Sequence, residues 1–115
     1  MGMQRSIVDA CSPAQIARAI AKVNKNPELR RAGLNALWKL YYATEHSLAR
    51  TQLEKEFGLV EDHFGLYSRG VAAELGADDP DSLALVNSSQ NDEGFEVLTL
   101  KPSVVTAIRS YAFSK

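Results

Sequence analysis

Apolar residues recur at spacings of three and four over most of this chain and alternate only near its end, which predicts a mainly helical protein with a small β element. Ser12-Pro13 reads as an N-cap followed by proline at the first helical position. Ile16, Ala19, Ile20 and Val23 then share one face, and Arg18, Lys22 and Lys25 lie away from it. Asn26-Pro27 repeats the signal and opens a second helix, expected over residues 27–44. Its stripe is Leu34, Leu37, Trp38, Tyr41 and Tyr42, and neighbouring rings on a helix point about 100° apart, so Tyr41 and Tyr42 cannot both face inward. Gly33 interrupts this helix at up to about 1 kcal/mol relative to Ala. A close helix crossing would explain it.

Residues 45–47 read as a connector. Thr51-Gln52-Leu53-Glu54 fits a capping box, with Thr51 as the cap and Glu54 reaching back. The short helix it starts places Leu53 and Phe57 on one face and stops at Gly58. A fourth helix is expected over 61–75, with Phe64, Tyr67, Val71 and Leu75 inward and Gly76 as its stop. After an acidic loop (Asp78, Asp79, Asp81), residues 83–86 read as a strand, 88–94 as a turn and 95–100 as the partner strand. Phe95, Val97 and Thr99 fall on one face of that strand, and Glu96, Leu98 and Leu100 on the other. Lys101-Pro102-Ser103 starts a last helix carrying Val104, Val105, Ile108, Tyr111 and Ala112.

Composition places few further bounds. A chain of 115 residues, 45% hydrophobic and 23% charged, is the size of one globular domain that needs no staple. Its single cysteine, Cys11, leaves no intramolecular disulfide, no apolar run approaches the roughly 18 residues of a membrane span, and the N-terminal residues do not read as a signal peptide; a cytoplasmic protein is the expectation. Charge does change the picture. Residues 1–58 hold nine Lys/Arg against five Asp/Glu, and residues 59–115 hold four against nine. Such asymmetry marks a nucleic-acid or partner surface, or merely two differently solvated faces.

Helix, short helix, glycine turn, longer helix and two-stranded hairpin, in that order over residues 30–100, resemble a winged helix-turn-helix domain. Leu53, Phe57, Gly58 and Leu59 carry the turn, Phe64, Val71 and Leu75 the second helix, and 83–100 the wing. The expected fold is therefore mostly α with a small antiparallel β-hairpin: a helical extension over 1–26, a winged-helix core over 27–100 and a C-terminal helix over 101–115. An all-α bundle with an incidental hairpin is the alternative. The resemblance implies a DNA-associated transcriptional regulator whose second helix, 61–75, enters the major groove. The residues it offers to double-stranded DNA are Arg30, Arg31, Arg50, Ser68 and Arg69, with His63 beside them. Phosphate contacts need Lys and Arg, yet the helix start carries Glu61 and Asp62 and the wing tip Asp92 and Glu93. Those four acids support a second reading, a winged-helix protein-interaction module for a basic partner. The apolar terminal helices suggest a homodimer, and Tyr111 and Phe113 raise the same question as the exposed tyrosine of the second helix.

Nothing in the sequence assembles an enzyme. His46, His63 and Cys11 lack metal-ligand spacing, and Cys11 has no neighbouring histidine to make it a nucleophile. The aspartate loop lacks the glycine and terminal glutamate of a calcium loop, and seven scattered glycines form no phosphate loop. No metal and no cofactor is expected.

Overall fold

The computed structural model describes residues 7–111; Ala112 and Phe113 lie outside it. Five helices and three strands follow in the order α1 (Pro13–Asn24), α2 (Pro27–Tyr42), β1 (Ser47–Ala49), α3 (Arg50–Phe57), α4 (Phe64–Glu74), β2 (Val86–Gln90), β3 (Glu96–Leu100) and α5 (Pro102–Ser110). The protein is thus mostly helical with a small antiparallel sheet.

Local chemistry sets the first two helices. Ser12 Oγ accepts the Gln15 N–H and Gln15 Oε1 accepts the Ser12 N–H, a complete capping box at α1. Asn26 Oδ1 accepts the N–H groups of Glu28 and Leu29 at the start of α2. Both caps satisfy donors that would otherwise be orphaned in the first turn. The apolar stripe of α1 (Ile16, Ala17, Ala19, Ile20, Val23) is buried, and α1 packs on α5 and α4 within one chain. Val104, Val105, Ala107 and Ile108 are the buried residues of α5. The apolar stripes of α1 and α5 are therefore buried within one chain, while Tyr111, which was expected in the last helix, lies just past the end of α5 and is 42% exposed. Leu34, Leu37 and Leu40 do the same for α2; each fully buried side chain of this size contributes about 1.5–3 kcal/mol.

Gly33 is explained by the crossing of α2 and α4. A Cβ built on Gly33 would lie 2.2 Å from Tyr67 Cβ, so only hydrogen fits between the two helices. Tyr67 is fully buried, and its hydroxyl donates to Asn24 Oδ1 at 2.7 Å, joining α4 to the end of α1. Burial pushes the Tyr67 phenol far up, partly offset by that hydrogen bond, so the ring stays neutral.

Three local expectations are corrected. The capping box at Thr51 does not form: α3 begins at Arg50 with Ala49 as N-cap and no side-chain cap, because Glu54 turns away. Its Oε2 instead accepts the Val60 N–H at 2.9 Å. The helix expected over 61–75 is broken at its start into a 3-10 turn, Val60–Asp62, and α4 proper. The chain folds back so tightly there that a Cβ on Gly65 would meet the Val60 carbonyl oxygen at 2.4 Å. Of the strand expected over 83–86 only Val86 is paired; residues 83–85 form a turn, with Asp81 accepting from the N–H groups of Leu83 and Ala84. The apolar side chains of Ala84 and Leu85 are buried as expected, but the paired strand is the polar stretch that follows, exposed from Asn87 to Gln90.

The sheet has the order β1-β3-β2, antiparallel throughout. β1 falls partly on the expected connector. It is placed by left-handed backbone at Glu45 and His46 (φ 54° and 58°), which turns the chain back along β3. The His46 ring hydrogen-bonds the Tyr41 carbonyl through Nδ1 at 2.7 Å and holds that turn. Ser47 pairs with Thr99, their hydroxyls 2.7 Å apart, and Leu48 pairs with Leu98. The parity expected for β3 holds: Leu98 and Leu100 point into the core, and Phe95 is 53% exposed. At the first residue of α5's entry, Lys101 is buried, its Nζ bonded to Asn87 Oδ1 (2.9 Å) and Asp9 Oδ2 (3.2 Å). One ammonium thereby joins the segment before α1, β2 and the start of α5.

Candidate interaction surface around Arg50

The start of α3, the 3-10 turn before α4 and the turn end of the β2–β3 hairpin meet at one side chain. Arg50 follows β1 directly, and its 24%-exposed guanidinium reaches all three elements. Nε faces Glu54 Oε2 one helical turn away (3.4 Å), and Nη1 faces Glu96 Oε1 on β3 (3.3 Å). Nη2 is shared by both carboxylate oxygens of Glu61, with Oε2 at 2.7 Å. Planar guanidinium donors suit this multiple contact in a way an ammonium would not. Glu96 in turn accepts from the Ser88 hydroxyl across the hairpin.

The electrostatics follow from that geometry. Burial works against the Arg50 charge, but the Glu54 hydrogen bond, the Glu61 charge and the Glu96 hydrogen bond outweigh it, so the pKa of Arg50 rises. The Ser88 hydrogen bond holds the Glu96 carboxyl below the ordinary glutamate value despite some desolvation, and Arg50 lowers it further. One guanidinium among three carboxylates leaves the cluster with two negative charges in excess. Asp62 is exposed beside it. The turn over residues 91–94 adds exposed Asp92 and Glu93, its shape set by Asn91 Oδ1, which accepts the N–H groups of Glu93 (2.9 Å) and Phe95 (3.0 Å).

The residues expected at a DNA surface separate. Arg50 is committed to the three glutamates. Ser68 is corrected outright: it is fully buried, its Oγ has no hydrogen-bond partner, and it cannot touch a ligand. On α4 it falls next to Tyr67 on the packed side, since α1 and α2 together cover more of that helix than a single core stripe would require. Arg69 is half-buried, with Nη2 donating to the Glu61 carbonyl at 3.1 Å. Arg30 and Arg31 are exposed on α2 and line a separate cleft of about 310 Å³ with Pro27, Leu34 and Asn35. Glu61 is drawn to Arg50, whereas Asp62, Asp92 and Glu93 remain open. What sequence reasoning missed is the apolar component: Leu59 (59% exposed) and Leu66 (39%) flank Glu61 and Asp62. Leu66 falls two positions from Phe64 and outside the buried line, a signal that was available.

Among the described residues no three His, Cys, Asp or Glu side chains gather to hold a metal ion, and no helix is long and apolar enough to cross a membrane. No family model, curated protein or solved structure matches this chain.

Proposed function

We propose that this chain is a winged-helix domain acting as a protein-interaction module, with its acidic face turned to a basic, partly apolar partner segment. The element order from α2 to β3 (helix, strand, helix, helix, strand, strand) and the placing of β3 between β1 and β2 support the winged-helix reading. The observation that carries the functional reading is the capture of Arg50 by Glu54, Glu61 and Glu96. It removes a cation from the surface a DNA-reading winged helix would use and leaves excess negative charge there. DNA affinity rests on cations facing phosphates. Outward from α4 stand Leu66, Arg69, Ala73 and a Glu74 paired with Lys22, so Arg69 is its one cation, where base readout needs several polar side chains. Exposed Leu59 and Leu66 next to Asp62 instead fit a partner helix with alternating lysine and leucine faces.

The test is a nuclear magnetic resonance titration of the labelled chain with a Lys/Leu amphipathic peptide and, separately, with a mixed-sequence duplex DNA. Peptide-induced shifts confined to residues 59–66 and 91–96, lost in Asp62→Lys with Asp92→Lys, support the reading. That pair of substitutions leaves the Arg50 contacts in place. Duplex DNA shifting those same residues, with no response to the peptide, would overturn it in favour of the DNA-associated regulator.

A further inference from the structure

A second surface, on the outward side of α2, has different chemistry. Arg31, Asn35, Trp38, Lys39 and Tyr42 follow one another along it at helical spacing. The cleft of about 310 Å³ beside Arg30 and Arg31 and a second of about 410 Å³ beside Trp38, Tyr42 and Phe57 share Asn35 as a wall, so the surface is continuous. With a rise of 1.5 Å per residue, it runs about 16 Å from Arg31 to Tyr42.

The two ends differ in a useful way. Arg30 and Arg31, like several other surface cations, make no ion pair among the described residues, so neither guanidinium is committed to a carboxylate as Lys22, Lys39, Arg50 and Lys101 are. Two guanidiniums lining a polar cleft suit phosphate oxygens. At the other end Tyr42 is 77% exposed, the most exposed large apolar side chain described. Its ring lies nearly parallel to Trp38 (21°, centroids 5.7 Å apart), and Trp38 is braced edge-on by Tyr41. The result is a flat, pre-stacked aromatic face held open to solvent. Lys39 and Glu56, 3.4 Å apart, neutralise each other at its margin.

We propose that this face of α2 binds single-stranded nucleic acid: Arg30 and Arg31 take backbone phosphates, Asn35 hydrogen-bonds between them and the aromatic end, and an unpaired base stacks on Tyr42. Cations that track a backbone beside rings that accept bases are the general means of holding single strands. A duplex keeps its bases paired and stacked, out of reach of Tyr42. An acidic peptide would use the arginines and leave the ring idle. The inference is independent of the acidic face, which lies on the 3-10 turn before α4 and on the hairpin.

The chain has one tryptophan, Trp38, which sits in the stack and reports on it. The experiment titrates the full chain with oligo(dT) and with oligo(rU) of about a dozen nucleotides, at low salt, following tryptophan fluorescence. Binding should quench it, with an affinity that falls as salt rises at a log–log slope of about −1.4 for two phosphates on a single strand. Arg30→Ala with Arg31→Ala should flatten that slope. Tyr42→Ala should weaken binding about 5- to 150-fold, and Tyr42→Phe should restore it. Binding of either oligomer supports the proposal, and a comparison of oligo(dU) with oligo(rU), which differ only in the 2′-hydroxyl, identifies the sugar preferred. Absence of quenching in the unsubstituted chain overturns it, whatever the variants do. So does equal competition by a duplex or by poly-glutamate, which would show a surface that reads charge alone. The substituted side chains are exposed, and circular dichroism checks that each variant is folded.

Discussion

Gly33 of α2 and Tyr67 of α4 touch with no room for a methyl group between them, a Cβ on the glycine falling 2.2 Å from the tyrosine Cβ. Two effects oppose each other at Gly33→Ala. Helix propensity favours alanine by about 1 kcal/mol. Overpacking of a buried crossing costs about 1–3 kcal/mol, occasionally more, and here the obstacle is the root of a fully buried side chain that cannot swing away. The clash wins: Gly33→Ala should lower the denaturant midpoint, and a midpoint unchanged or raised would show that α2 and α4 are not held at this distance.

Ser68 gives a prediction of the opposite sign. Its hydroxyl is fully buried with no hydrogen-bond partner. Removing such a group relieves a desolvation penalty of about 1–3 kcal/mol, set against the small void left behind. Ser68→Ala should leave stability unchanged or raise it, with no effect on binding to peptide, duplex or single strand. A marked loss of stability in a urea melt would mean that the hydroxyl has found a partner, such as an internal water.

The Glu96 carboxyl, held below the ordinary range by Ser88 and then Arg50, binds its proton less readily in the folded chain than in the unfolded one. Its stabilising contribution is therefore complete above the unfolded value of about 4.3 and is lost as pH falls through the lower folded value. Glu96→Gln should lower the melting temperature at neutral pH, where that contribution is complete, and the gap to the parent should close as pH falls through that window, which flattens the acid limb. A steeper acid limb in the variant would contradict the assignment.

Arg50→Met leaves Glu54, Glu61 and Glu96 facing one another without their cation. Like charges so placed repel when ionised. The variant should be less stable than the parent at about pH 7, and the gap should narrow as the carboxylates protonate on acidification. Melting curves over that range decide it; a gap that stays the same at every pH would mean Arg50 stabilises the hairpin by packing rather than by charge.

Lys101 is buried while its partner Asp9 is 44% exposed at the side chain. Removing the acid strands part of a buried ammonium, whereas replacing the lysine by an apolar chain of similar length frees two groups that water can reach. Asp9→Ala should therefore destabilise by about 1–2 kcal/mol, less than a fully buried broken pair because Asn87 remains bonded, and Lys101→Met should cost less. Urea midpoints of the two variants rank them, and the reverse order would show that the ammonium is better solvated than its burial indicates.

Elements set by neighbours in sequence were legible in the residues themselves. Ser12-Pro13 and Asn26-Pro27 announced two helix starts because a cap and the N–H groups that donate to it lie within three residues, and both formed. The inward parity of Leu98 and Leu100 and the burial of the α1 stripe followed from periodicity, whereas a glycine inside α2 only raised the question that the crossing with Tyr67 answers. Features that join distant segments were not legible. β1 is three residues long and exists through its pairing with β3, some fifty residues on, with too few positions to show alternation. Glu54 had two offers, its own helix start and the Val60 N–H, and the fold-back at Gly65 brought the second within reach. Arg50 read as a free cation because the charges that claim it stand at 54, 61 and 96. Ser68 read as outward because one buried stripe is the usual share of a helix, and α4 is covered by two neighbours. Local hydrogen bonds and apolar periodicity thus determined the helices and the core side of the last strand. The sign of the surface was decided only when folding brought remote charges together, since ion pairs follow distance in space and leave no periodic trace along the chain.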